Sequence, residues 1–341
     1  MKRSIYAGAG ALAALTALTA LHAQPVEAPP TPPTTVAALP GALAVAPVVL
    51  DRSDRLTMPV MVNGQGPFAF VVDSGAERTV IARELAERLA LPSAGRARVV
   101  GLANEVETDL FHLDGLTMGS LALDARVVPV FSRMDIGAAG LLGIDSLAGR
   151  RVVIDFRRNR IDIHDSPPAR QSRRAERYDP DAITVVARER NGRLILSNAE
   201  IDHQRIDVVL DTGAQASVGN QALRALVHRR IGAGRLNATT HLRSVTGASL
   251  PVTADQIRAI TIGGLRFDNL PVHYGDSPAF DALGLGSRPT LLLGMDALQL
   301  FDRVSIDFTN RRVTFQMPDT SLRGDARRLA LAQPAAQPRT P

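Results

Sequence analysis

Along most of this chain apolar residues alternate with polar ones, or run in short blocks that end at turn residues, and this pattern predicts β-strands. Leu56 to Val62, a turn at Asn63-Gly64 and Pro67 to Val72 read as a β-hairpin. Leu194 to Ile201 and Ile206 to Leu210 repeat that reading further on. Helical spacing with charges on the outer face occurs over Ala82 to Leu89 and returns over Asn220 to Val227. Each region continues with a hairpin, a paired strand, a Leu-Leu-Gly strand, a short helix and a closing hairpin. The expected fold is mainly β, in barrel-like lobes of short strands.

The two regions are copies of one another. Asp73-Ser74-Gly75-Ala76 and Asp211-Thr212-Gly213-Ala214 lie 138 residues apart. Leu116-Thr117-Met118-Gly119 and Ile260-Thr261-Ile262-Gly263 match at 144, and Leu141-Leu142-Gly143 and Leu292-Leu293-Gly294 at 151. Val153-Ile154-Asp155-Phe156 and Ser305-Ile306-Asp307-Phe308 close the copies. The order is kept while the offset grows by small steps, so a whole domain was duplicated and two short loops were inserted.

Composition sets the boundaries of these lobes. With 341 residues, 45% of them apolar, the chain can support two cores, and each lobe is expected to form its own. Residues 1–23 carry Lys2-Arg3, an apolar run from Ile5 to Leu21 and a small residue at Ala23, which predicts a secretory signal peptide and a periplasmic or secreted location. An uncleaved N-terminal anchor is the alternative, and no later segment is long enough to span a membrane. Residues 24–47, rich in Pro, Ala and Thr, are expected to be a disordered spacer. The first lobe then covers 48–165, a linker 166–180, the second lobe 181–317 and a disordered tail 318–341.

Several function classes are excluded at this stage. The chain has no cysteine, which removes disulfides and thiolate metal sites. Its net charge of +5 comes from scattered arginines, and three tyrosines without a tryptophan leave little for base stacking, so no nucleic-acid partner is expected. The histidines are dispersed and there is no Gly-x-Ser-x-Gly elbow or phosphate loop, so neither a metal nor a cofactor is expected.

The candidate chemistry lies in the duplicated aspartates. A carboxylate at the end of an apolar run is costly to desolvate unless the fold gives it partners, and two in duplicate contexts point to each other. A single Asp-Ser/Thr-Gly suits any strand-ending turn. Two of them, each followed by Leu-Leu-Gly, form a specific pattern.

In these motifs the chain resembles the aspartic proteases, specifically the retroviral-like branch, with two domains fused as in the two-lobed pepsin-like enzymes. The resemblance covers about residues 50 to 165 and 181 to 317. It implies two acid-protease lobes related by pseudo-twofold symmetry, in which Asp73 and Asp211 share one proton and activate a water against a peptide bond. It further implies that Ser74 and Thr212 bond across to the opposite loop, that Gly75 and Gly213 let backbone approach the pair, and that Leu141, Leu142, Gly143, Leu292, Leu293 and Gly294 brace the catalytic loops. Ala76 and Ala214 stand where many pepsin-like enzymes carry a hydroxyl. A hydroxyl would favour the charged carboxylates, so its absence predicts activity at mildly acidic to near-neutral pH.

The flaps that cover such a site match the segments holding Gly101 and Asn104 in one lobe and Thr246 and Gly247 in the other, without the family's flap tyrosine. Asp145 and Asp296 are expected to cap helices or brace loops, and Asp155 and Asp307 to sit in structural hairpins. The implied partner is a peptide or protein substrate, bound by a monomer in preference to a homodimer. A peptide-binding module with little turnover, and a dimer in which each lobe pairs with its twin, remain as alternatives.

Overall fold

The computed structural model describes residues 41–47, 49–50, 55–171, 181–231, 238–318 and 332–334. The signal-peptide residues and most of the linker and tail fall outside them. The described chain is mainly β. Within it each copy builds a lobe, and the predicted hairpins are present as Leu56–Val62 with Gln65–Val72 and as Arg193–Ile201 with Gln204–Leu210.

In the second lobe six strands close into a barrel. Arg193–Ile201, Gln204–Leu210, Thr290–Leu293, Val218–Gly219, Leu265–Tyr274 and Ser249–Ile262 pair in that order, and Ala199 and Glu200 return to Ile262 and Thr261. The long strand Ser249–Ile262 alternates buried and outward positions over most of its length, as a strand with one face on the core must. It turns into Leu265–Tyr274 through Gly263 and Gly264, both at positive φ, which only glycine adopts without strain. The first lobe follows the same order, but its equivalent of the long strand is broken into Glu105–Leu113 and Leu116–Met118. The break is held by Asn63, whose Oδ1 accepts from the amides of Asp114 and Gly115 at 3.0 and 3.2 Å.

A six-stranded antiparallel sheet joins the lobes, in the order Ala42–Pro47, Arg160–Asp165, Arg150–Asp155, Arg303–Asp307, Arg312–Gln316 and Ala182–Arg190. Its central pair is made by the two closing motifs, Arg151 opposite Asp307 and Asp155 opposite Arg303, about a midpoint at Val153 and Ser305. Two expectations are corrected here. Residues 42–47 are a strand rather than spacer: Ala44 and Ala46 are buried, and the backbone pairs with the free side of Arg160–Asp165. The lobes also do not keep separate cores, because one contiguous apolar cluster runs from Leu56 and Phe70 through Ile154 to Phe301 and Phe315. In the expected tail, Ala332–Pro334 pairs with Leu265–Phe267 as a short strand.

Candidate active site

Each Asp is delivered by the second arm of its hairpin, which lies parallel to the Leu-Leu-Gly strand. Val71 and Val72 pair with Leu141 and Leu142, and Val209 and Leu210 with Leu292 and Leu293. The Asp73 amide donates to Leu142 O and the Asp211 amide to Leu293 O, both at 3.0 Å. In both lobes the chain then turns back over the end of this pair. Ile144 N donates to Ala76 O and Met295 N to Ala214 O, each at 2.9 Å. Gly143 and Gly294 must be glycine, because a Cβ would strike the backbone of Arg78 and Thr79 in one lobe and of Ala216 in the other. These contacts show how the Leu-Leu-Gly residues hold the two loops.

A second layer of the brace repeats in both lobes. Asp145 Oδ1 accepts from Thr79 N and Thr79 Oγ1 at 2.8 and 2.7 Å, and Asp296 accepts from Ser217 N and Ser217 Oγ at 3.0 and 2.7 Å. The same hydroxyls accept from Gly143 N and Gly294 N. Asp145 and Asp296 therefore brace loops. They lie inside the short helices Ile144–Leu147 and Met295–Leu298, where Asp296 Oδ1 also accepts from the first-turn amide of Ala297 at 2.9 Å. Asp155 and Asp307 accept from the amides of Arg158 and Asn310 in tight turns.

The two Asp loops cross at the lobe interface. Ser74 N donates to Thr212 Oγ1 at 2.9 Å and Thr212 N to Ser74 Oγ at 3.1 Å. The hydroxyls pass their protons onward, Thr212 Oγ1 to Val72 O and Ser74 Oγ to Leu210 O, at 2.7 and 3.1 Å. All four bonds are buried and join one lobe to the other, so the relative position of the loops is fixed from both sides. Asp73 Oδ1 accepts from the amides of Gly75 and Ala76, and Asp211 Oδ1 from those of Gly213 and Ala214, at 2.8 to 3.0 Å. Each carboxyl lies against the other loop's glycine: a Cβ on Gly75 would overlap the Asp211 carboxyl, and one on Gly213 that of Asp73.

This setting raises both carboxyls above the ordinary Asp range. For Asp73 the cause is burial, opposed by the Gly75 amide, Arg55, the Ala76 amide and Arg193. For Asp211 burial comes first and the neighbouring Asp73 carboxylate second, pushing it up to about 7 against Arg193 and two amides. Two buried carboxyls that feel each other keep one proton between them over a range of pH.

The segments expected to be flaps are hairpin tips. Ser93–Val100 and Glu105–Leu113 flank the first, Ala238–Arg243 and Ser249–Ile262 the second. The tips meet: Thr246 Oγ1 donates to Asn104 Oδ1 at 2.6 Å, and a Cβ on Gly101 would strike Thr246 and Ser244. Gly247, at positive φ, lies beside Asp135 of the first lobe, which pairs with Arg243. Leu102 reaches the second lobe, where Ser277 Oγ donates to its carbonyl at 2.5 Å and its side chain packs on the apolar cluster of Ile195, Val209, Val218, Phe280 and Leu292.

Carboxyls contributed one from each of two duplicated lobes, on crossed Asp-Ser/Thr-Gly loops, define the aspartic-protease class of site. A family model described as "Aspartyl protease" matches the chain twice, at residues 58–146 and 197–297, together more than half its length. The chain belongs to the aspartyl protease family, as a tandem duplication. A comparison with curated proteins found no match.

Sequence reasoning missed two sets of residues at the site, Thr79 with Ser217 and Arg55 with Arg193. The signal was available, because both pairs are separated by the same 138 residues as Asp73 and Asp211.

Proposed function

We propose that this protein is an aspartic endopeptidase with one active site, in which a water held between Asp73 and Asp211 attacks the peptide bond. The observation that carries this reading is the crossed pair of loops, with each carboxyl seated on the opposite glycine. The pair keeps one proton between its two carboxyls, so at any moment one is the anion and the other the acid. The ionised carboxyl takes a proton from the water as the water oxygen bonds to the scissile carbonyl carbon, while the protonated one donates to the carbonyl oxygen. The tetrahedral diol then collapses: a hydroxyl proton returns to the carboxyl that gave its own up, the proton taken from the water passes to the amide nitrogen, and the C–N bond breaks.

The substrate binds as an extended strand beneath the two hairpin tips, its main chain supplying the hydrogen bonds. Opening must break the Thr246 to Asn104 bond and lift Leu102 from the second lobe. Both carboxyls come from one chain, which favours a monomer, and the N-terminal composition favours an exported enzyme. A high pKa at Asp211 keeps the singly protonated pair present at mildly acidic to near-neutral pH. Cleavage of a peptide library from pH 3 to 8, with a pepstatin-type inhibitor as control, tests the reading. Inhibitor-sensitive cleavage peaking between about pH 4 and 7 is expected, and no cleavage at any pH would leave a peptide-binding module.

A further inference from the structure

We propose that Arg193, together with Arg55, is a positioning residue of the acidic pair: a guanidinium from the same place in each copy holds the site's surroundings and sets the pH range over which the pair keeps one proton. Arg55 stands directly before the strand Leu56–Val62 and Arg193 opens the equivalent strand Arg193–Ile201, and the two are related by the offset that relates Asp73 to Asp211. Arg193 Nε donates at 2.6 Å to Gly75 O, in the loop that carries Asp73, and so reaches from the second lobe into the first. Its turn is seated there. Gly192, at positive φ, lies against Ile144, and a Cβ would come within 3.0 Å of Ile144 Cγ2. Arg55 is buried, and its Nη2 donates to Ile136 O.

A buried guanidinium is costly unless it offsets a negative charge. Arg55 and Arg193 bear on Asp73, and Asp73 and Arg193 bear on Asp211. Arg193 therefore acts on both carboxyls. Ala76 and Ala214 have no hydroxyl with which to favour an anion, and the arginines supply stabilisation of that kind through their charge.

The kinetic half of this inference rests on the peptidase reading, whereas the titration half does not. Protein labelled with 13C at aspartate carboxyls is titrated by NMR, with Asp73→Asn and Asp211→Asn assigning the two signals. Arg193→Gln is expected to raise both titrations by about one pH unit or more, and the pH limits of kcat/KM rise with them. Arg193→Lys keeps the charge and holds both titrations near their original place while kcat falls. Arg55→Gln moves Asp73 more than Asp211. Arg193→Met, which retains an apolar stem, serves if the glutamine variant does not fold. Carboxyl titrations unmoved in both neutral variants, with lysine and glutamine losing activity equally, would overturn the proposal and leave Arg193 a clamp on Gly75. If the unmodified protein cleaves nothing but the signals shift, the arginine role stands and the peptidase reading falls.

Discussion

The two lobes share one brace and differ in what surrounds it. In both, a hydroxyl and an Asp behind the loop, a Leu-Leu-Gly strand and two amides on the inner carboxylate oxygen recur with nearly equal distances. In the first lobe Asp73 has Arg55 and Arg193 acting on it, the long strand is broken, and Leu102 of the hairpin tip packs on an apolar cluster of the other lobe. In the second lobe Asp211 feels Arg193 and the other carboxylate, and stands beside an unbroken long strand. Duplication preserved the frame that fixes the carboxyls, with an arginine at the same place in each copy, and divergence acted on the strands and hairpin tips around it. Repulsion between the two carboxyls is enough for the pair to hold a single proton, and unequal surroundings bias which of them carries it.

The glycines test the frame most severely. Gly213→Ala or Gly75→Ala places a methyl in the opposite carboxyl, so either should cut kcat by roughly a hundredfold or more and destabilise the fold by about 1–3 kcal/mol. Equal losses in the two variants would show that the frame is symmetric. Thr212→Val removes the donor to Val72 O and the acceptor for Ser74 N, and Ser74→Ala the matching pair. Each should cost about 2 kcal/mol in urea denaturation, and the double variant less than the sum because the four bonds form one network.

The inequality is read from stability against pH. Asp211 titrates at about 7 when folded and near 3.8 when unfolded. Well below pH 3.8 it is protonated in both states. As pH rises towards 7 the unfolded chain releases a proton that the folded chain keeps, so the folded state loses stability through this window and regains none above it. Asp211→Asn removes the loss, and its gain in melting temperature should be larger at pH 7.5 than at pH 4, by the equivalent of a few kcal/mol at most. A gain independent of pH would contradict the raised titration. The smallest effect is at the flaps. Thr246→Val deletes a hydrogen bond worth about 1 kcal/mol to the closed tips, so KM should fall by up to about fivefold with kcat unchanged.

What could be read from the sequence was whatever local chemistry and repetition carry. Asn63-Gly64 announces its hairpin, and Asp73 and Asp211 announce each other through their shared surroundings. What could not be read depends on partners far along the chain. Ala42–Pro47 resembles spacer because its small side chains bury little on their own, and it becomes a strand only beside Arg160–Asp165. The merged core follows from pairing Arg150–Asp155 with Arg303–Asp307, which alternation within either strand does not reveal. Arg193 was hidden among many scattered arginines, and the contact of Leu102 with the opposite lobe leaves no local trace.

The central claim is that each lobe supplies one carboxyl to a single shared site. Steady-state peptide cleavage by Asp73→Asn, Asp211→Asn and the double variant tests it directly, with folding checked by thermal melting. Each single variant should lose about a thousandfold or more in kcat, and the double variant should be no worse than either. Two single variants that each retain about half the activity, with loss only in the double, would mean independent sites and contradict the account.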